Sequence, residues 1–237
     1  MGIDFSSKVQ RFLKVFIDGG GYKELGQGFR NTMMIAVIGL LIGIVIGTFI
    51  ASLRVLPKYK TLPRVLDKIC GFYVALFRGT PMVVQLLVFY YVMLPLMGVN
   101  LDSIYVATVV FGLNSGAYVS EIMRGGILSV DPGQTEGGRS VGLSYATTML
   151  KIVIPQAIKN ILPTLGNEFI TLVKETSIVS FVGAMDLYKV FNDIGTNTYE
   201  FMVPYLVMAI IYIMIISIIS LGVKLMERSL RKSDKRS

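Results

Sequence analysis

Histidine is missing from all 237 residues, and cysteine occurs once, at Cys70. Without an imidazole, histidine-based acid–base catalysis, proton relay and metal ligation are excluded. One cysteine permits neither an internal disulfide nor a cysteine zinc site. Charge is scarce as well: 16% of residues are Asp, Glu, Lys or Arg, against about a quarter in ordinary soluble domains. Nowhere does the chain read Gly-x-x-x-x-Gly-Lys-Ser/Thr, the loop that cradles nucleotide phosphates, so ATP hydrolysis by that route is excluded. No secretory signal peptide is expected, because the first residues mix polar and apolar side chains without a small-residue cleavage site. No internal repeat or low-complexity stretch is evident.

What is present is apolar. Hydrophobic residues make up 53% of the chain, and mean hydropathy is +0.65. A bilayer span needs roughly 20 mainly apolar residues. Five stretches qualify, at roughly 31–54, 69–97, 102–127, 162–185 and 203–226. The reading is an all-α integral membrane protein with five transmembrane helices in one domain, 31–227. Arg78-Gly79-Thr80-Pro81 interrupts the second span and divides it into two helices, since Gly frees the backbone and Pro cannot continue the ladder. Gly39, Gly43, Gly47 and Ala51 recur every fourth residue of the first span. They make a smooth strip that another backbone can approach, with packing inside the subunit favoured over a dimer contact. The segment 1–30 is amphipathic: Val9, Phe12, Leu13 and Phe16 fall at helical spacing with Lys8, Arg11 and Lys14 between them. A helix lying in the membrane interface is expected there, ended by Gly19-Gly20-Gly21.

The formal net charge of +8 is read through the membrane and not as a nucleic-acid surface, because basic residues mark cytoplasmic loops and touch anionic lipid. The loop at 54–68 holds Arg54, Lys58, Lys60, Arg64 and Lys68, and the tail at 228–237 holds Arg228, Arg231, Lys232, Lys235 and Arg236. The loop at 97–102 has no basic residue and the loop at 186–202 has only Lys189. The first loop, the segment at about 128–160 and the C-terminus therefore face the cytoplasm, and five spans place the N-terminus outside. Lys8, Arg11 and Lys14 run against that rule, a tension that an interfacial helix softens.

Between the third and fourth spans lies a polar, glycine-marked interruption from Glu136 to Pro155: Glu-Gly-Gly-Arg-Ser-Val-Gly, nine residues, then Ile-Val-Ile-Pro. It resembles the cytoplasmic coupling loop (the EAA loop) of bacterial ATP-binding-cassette importer permeases. Glu136, Gly142, Ile152 and Pro155 fall in register; Gly137 and Gly138 stand where that family has two Ala, and Ile154 stands for Leu. Three further stretches resemble its polar amino-acid branch: Phe77-Arg78-Gly79-Thr80-Pro81 with Gln85; Ser115-Gly116-Ala117-Tyr118 with Glu121 and Arg124-Gly125-Gly126-Ile127; and Lys174-Glu175-Thr176-Ser177. The likeness covers roughly 25–227.

The resemblance implies a type I importer fold with cytoplasmic coupling helices and alternating access. It implies two cytoplasmic ATPase subunits that use ATP and Mg, an extracytoplasmic binding protein, and a second permease copy, with a homodimer favoured over a related permease. This chain would bind no cofactor or metal and catalyse nothing, and it would sit in a bacterial inner membrane among its lipids. Glu136, Gly137, Gly138, Arg139, Ser140, Gly142, Leu143 and Pro155 would serve ATPase coupling. Ser140, Val141, Leu143 and Tyr145 make a compact patch suited to a groove in a partner, and the two Gly cost a helix roughly 0.8–1 kcal/mol each relative to Ala.

Ionisable and polar groups inside a membrane are functional candidates. Asn114, Tyr118 and Glu121 share one face of the third span, with Ser115 beside it; Glu168, Thr171 and Glu175 share one face of the fourth. With Gln85 they would form a polar cavity for a small zwitterion or cation. Glu121 would pair with the ligand's α-ammonium, Arg78 or helix-end amides near Gly79 and Thr80 with its α-carboxylate, and Glu168 with a cationic side chain. Other roles stand beside these. Glu121 and Arg124 form an intrahelical ion pair; Asn114 makes an interhelical hydrogen bond, worth about 0.6 kcal/mol in membranes; Lys174 and Glu175 hold helices or support a gate with Gly79, Thr80 and Pro81. The excess of acidic groups favours arginine, lysine or histidine as substrate over glutamine. A stand-alone secondary transporter or channel would call for matched broken helices in two halves, which are not found. An intramembrane enzyme would call for a catalytic set that is lacking.

Overall fold

The computed structural model describes residues 4–56, 59 and 61–234, with side chains as far as Leu230. Lys58, Lys60, Lys235 and Arg236 of the basic loop and tail, and Met1–Ile3 of the N-terminal segment, lie outside the described residues. Every regular element among those described is helical: α1 Phe5–Leu13, α2 Gly21–Val55, α3 Thr61–Gly79, α4 Met82–Val88, α5 Leu94–Leu96, α6 Ser103–Leu128, α7 Pro132–Ser140, α8 Tyr145–Thr148, α9 Ile154–Glu175, α10 Leu187–Thr198 and α11 Met202–Asp234.

By length and composition α2, α6 and α11 each suffice to cross a membrane, and α3 with α4–α5 passes only as one broken pair. Three or four candidate spans thus stand where five were expected. The expected fourth span corresponds to α9, long enough but diluted by Lys159, Glu168, Lys174 and Glu175. It also stops at Glu175, ten residues short of 185, and the chain continues as a 3-10 segment, Thr176–Val182. Thr176, Ser177 and Ser180 turn their hydroxyls onto carbonyls three residues back, bonds that compete with a regular ladder. Gly183, at φ 78°, closes the segment.

Two widened, π-type turns share one cause. Phe89–Met93 runs into Leu94-Pro95, and Met149–Val153 runs into Ile154-Pro155. Proline has no N–H for the ladder and its ring crowds the carbonyl four residues back, so the preceding turn opens. Pro155 therefore does not break the path from α8 to α9 but loosens it. The break expected after Arg78 is present: α3 ends at Gly79 and α4 begins at Met82.

The described chain forms two compact units. One comprises the chain up to Gly39, Met82–Phe111 and Thr171–Ile218. Its core joins Phe12 of α1 to Val190, Phe191 and Ile194 of α10 and to Val203 of α11. The apolar face of α1 thus docks on protein, not only on lipid, while Phe5, Leu13 and Ile17 stay exposed. Lys8 pairs with Glu200 at 2.7 Å and holds that carboxyl below its usual range. The glycine run ends the segment as expected, but at Gly21 it starts α2, ten residues before the expected span. The early part of α2 is tied to the turn before α10: Asn31 Nδ2 donates to the Met185 carbonyl at 2.8 Å, and Thr32 Oγ1 accepts from the Leu187 amide at 3.3 Å.

The other unit comprises Leu40–Pro81, Gly112–Ile170 and the chain from Ile219. Here α2 lies directly on α6. A Cβ at Gly43 would stand 2.6 Å from Ser115 Oγ, and one at Gly47 would stand 2.6 Å from Val119 Cγ1. The small-residue strip packs within the chain. Val119, Ala157, Ile161 and Leu165 form the core where α6 meets α9, and Tyr73 of α3 donates its hydroxyl to the Leu113 carbonyl of α6.

Candidate functional site

Five of the seven residues expected to touch a ligand come together in pairs or tethers within the second unit. Ser115, fully buried on α6, donates from Oγ to Glu168 Oε1 of α9 at 3.1 Å. Glu168 is 8% exposed, so its carboxylate is largely removed from water. The Arg78 guanidinium at the end of α3 stands over the Tyr118 ring, 5.3 Å from its centroid. Asn114 Nδ2 donates to the Phe77 carbonyl at 3.3 Å, tying the same α3 end to α6. Gln85, buried on α4, belongs to the first unit.

Glu121 is the exception. Arg54 engages Oε1, and Arg124 donates to Oε2 from Nε at 3.2 Å and Nη2 at 2.7 Å. Arg54 also reaches Asp67 Oδ1 at 3.4 Å. The intrahelical ion pair open to Glu121 is formed, and a second guanidinium, that of Arg54, joins it. Arg54 and Asp67 lie in the basic loop at 54–68, where composition alone marks neither as a partner of an α6 carboxylate. The signal was there: a carboxylate in an apolar helix demands a partner, and Arg54 ends the preceding span.

The coupling-loop segment is built by its caps. Asp131 accepts from Gly133 N at 2.8 Å, and Pro132 supplies the preset first turn of α7. At the other end, Gly142 N bonds to the Arg139 carbonyl and Leu143 N to the Gly138 carbonyl, with Gly142 at φ 83°. This Schellman closure needs the left-handed conformation that glycine takes without strain. Ser144 then caps α8 by accepting from Thr147 N. Gly138 is buried against Thr148, where a Cβ would stand 2.7 Å from Cγ2, whereas Gly137 faces open space. Asn160 Nδ2 to Ser129 Oγ, 2.9 Å, fixes the base of the loop to α9. Val141, Leu143 and Tyr145 are exposed, as are Glu136, Arg139 and Ser140.

In the first unit, exposed Lys174 with Ser177, Tyr188 and Tyr212 lines a cavity of about 520 Å³, and half-buried Glu175 ends α9. Asp186, outside the spans and fully buried, caps α10 by accepting from the Tyr188 and Lys189 amides. Burial raises its pKa from the usual carboxyl range to about 6, against the lowering pull of those amides. Among the described residues no group of three or more His, Cys, Asp or Glu is placed to hold a metal ion.

Comparison with known proteins agrees with this architecture. Residues 39–232 match the model of the family described as binding-protein-dependent transport system inner membrane component. The arginine transport system permease protein ArtQ of Bacillus subtilis is 34% identical over 234 residues, 99% of this chain and 100% of the relative. A putative glutamine transport system permease protein, GlnP of Rickettsia bellii, is 37% identical over 204 residues, 86% of this chain and 91% of the relative. The crystal structure of an amino acid ABC transporter with histidines contains a chain with TM-score 0.83 and 36% identity, covering 97% of this chain and 100% of that one.

Proposed function

The chain belongs to the inner-membrane components of binding-protein-dependent transport systems, and from that premise we propose that it is the permease of an ATP-driven importer of a polar amino acid, preferably a cationic one. It is a non-catalytic membrane subunit of an ABC system, so ATP is hydrolysed elsewhere in the assembly. The observation that carries the cationic preference is Glu168. Acidic side chains inside a membrane are functional candidates, and Glu168, 8% exposed on α9, meets the Ser115 hydroxyl of α6 at 3.1 Å. A guanidinium or ammonium on the ligand is the charge complementary to such a group. Arg78, held over Tyr118 beside the helix break, is assigned the ligand's α-carboxylate; Asn114 and Tyr118 are assigned polar contacts. Glu121 is assigned to helix positioning, and Lys174, Glu175, Gly79, Thr80 and Pro81 to gating.

The partner side of the proposal rests on α7–α8. Val141, Leu143 and Tyr145 present apolar side chains with Glu136 and Arg139 at the rim, a surface suited to a groove of a cytoplasmic ATPase. Two ATPases, two permease copies and an extracytoplasmic binding protein complete the assembly. α9 counts as a fifth crossing, with the N-terminus outside and the tail in the cytoplasm; of the charged side chains that dilute it, Glu168 is buried.

Glutamine is the second reading, supported by relatives named for glutamine that are as similar as the one named for arginine. The test is ATPase stimulation of the complex in liposomes with its ATPase and binding protein, titrated with arginine, lysine, histidine and glutamine. Glu168→Gln is expected to reduce the preference for arginine over glutamine by about tenfold or more, the equivalent of one lost charge contact. An unchanged preference sinks the cationic assignment and leaves glutamine.

A further inference from the structure

The charge cluster around Glu121 carries a role outside ligand binding. Arg54 lies in the last turn of α2, Asp67 in α3, and Glu121 and Arg124 in α6. The side chains are between 18% and 36% exposed, so water and salt screen them only in part. Both Glu121 oxygens are engaged by guanidiniums of the chain, so this carboxylate is committed to helix contacts. It binds together three helix segments at the end of α6 that leads into the coupling loop. Beyond Arg124, α6 runs only to Leu128, and Asp131 then caps α7. Farther along, the Tyr73 hydroxyl to the Leu113 carbonyl and Asn114 to the Phe77 carbonyl join α3 to α6 again. One turn before Glu121, Tyr118 carries Arg78 on its ring.

We propose that the Arg54–Asp67–Glu121–Arg124 clasp couples the loop to the ligand-holding face: it makes α2, α3 and α6 move as one body when α7 is displaced, without touching the transported molecule. Its members are positioning residues. The proposal rests on the assignment of α7–α8 to the ATPase contact. Arg54 is the keystone, since its guanidinium reaches two other helices, to Glu121 of α6 and to Asp67 of α3.

The test uses the whole complex in liposomes with ATPase and binding protein. Arg54→Ala and the milder Asp67→Asn are compared with wild type for ATPase retention, basal hydrolysis, half-stimulating ligand concentration and molecules transported per ATP. Retention, basal hydrolysis and half-stimulating concentration are expected to stay as in wild type. Transport per ATP is expected to fall about fivefold or more in Arg54→Ala, the range of a lost inter-site coupling. Arg54→Lys, which keeps the charge but not the fork, is expected to recover part of it. Unchanged transport per ATP in Arg54→Ala overturns the proposal, and so does a shift in half-stimulating concentration that accounts for the whole loss. Retention is also measured for Val141→Ser with Leu143→Ser. Undiminished ATPase binding there overturns the docking assignment itself, an outcome distinct from failure of the clasp.

Discussion

Gly137 and Gly138 are neighbours with opposite tolerances. A methyl at Gly137 meets nothing within 4 Å, while one at Gly138 meets the Thr148 side chain at 2.7 Å. Thr148 is short, β-branched and tied by its hydroxyl to the Ser144 carbonyl, so it yields little. Gly137→Ala is expected to stabilise α7 by about 0.8–1 kcal/mol through helix propensity. Gly138→Ala is expected to push α8 away and weaken ATPase retention; pull-down of the ATPase by the two variants distinguishes them, and equal retention counts against the packing. The departure from the family's two Ala is thus structural at one position and free at the other. Asp186 makes a second residue-scale prediction. Its pKa near 6 lies above the usual carboxyl value, so the folded protein holds the proton more tightly than the unfolded chain. That contribution to stability is full below about pH 4 and is lost as pH rises to about 6, an effect of order 3 kcal/mol at most. Asp186→Asn keeps a side-chain cap and removes the titration. Its melting temperature in detergent is expected to be flatter than wild type across pH 4–7; a parallel pair of profiles refutes the assignment.

Among the elements, α2 against α6 makes the sharpest prediction. Gly47→Val must displace Val119 and the Ser120 amide and is expected to cost about 1–3 kcal/mol. Gly71→Ala, which meets nothing within 4 Å, serves as the matched substitution with no packing cost, and thermal unfolding of the purified protein compares them. This strip was legible because small residues every fourth position leave a groove whatever else the helix does. The break at Thr80–Pro81 was legible for the same kind of reason, since a missing N–H is a local fact. α10 was not. It lies in the loop at 186–202, although Asp186 precedes Leu187, Val190, Phe191 and Ile194 at helical spacing; twelve residues cannot span a bilayer, so hydropathy gives no signal for it. The end of α9 was missed because hydropathy carries on through Ile178, Val179 and Phe181 while the hydroxyls of Thr176, Ser177 and Ser180 redirect the backbone. Of the site, helical spacing puts Ser115 beside one polar face and Glu168 on another, but the contact between the two is not legible from either face alone. The Arg124 partner of Glu121 followed from i,i+3 spacing; Arg54, with Asp67 behind it, did not, because they come from helices whose facing sides no periodicity within α6 reveals.

At the scale of the molecule, a single cysteine makes topology directly measurable. In a Cys70→Ser background, Thr196→Cys in α10 is expected to react with a membrane-impermeant thiol reagent added outside, and Ser140→Cys in α7 only after the cytoplasmic face is opened. Both positions are exposed in the folded chain. Labelling of both from one side would remove the fifth crossing and with it the assignment of the N-terminus to the outside.

The widened turn at Met149–Val153 gives the coupling loop a phase. Each residue of an α-helix advances the azimuth by about 100°, so a π-type turn works as a one-residue insertion that sets where α8 points about the axis of α9. Deleting one residue there would leave every contact surface chemically intact, Val141, Leu143 and Glu168 included, and yet turn the exposed patch proposed for docking roughly a quarter-turn or more about the axis of α9 relative to Glu168. Such a permease would be complete in its parts and out of time with its motor, much as an engine with a slipped camshaft.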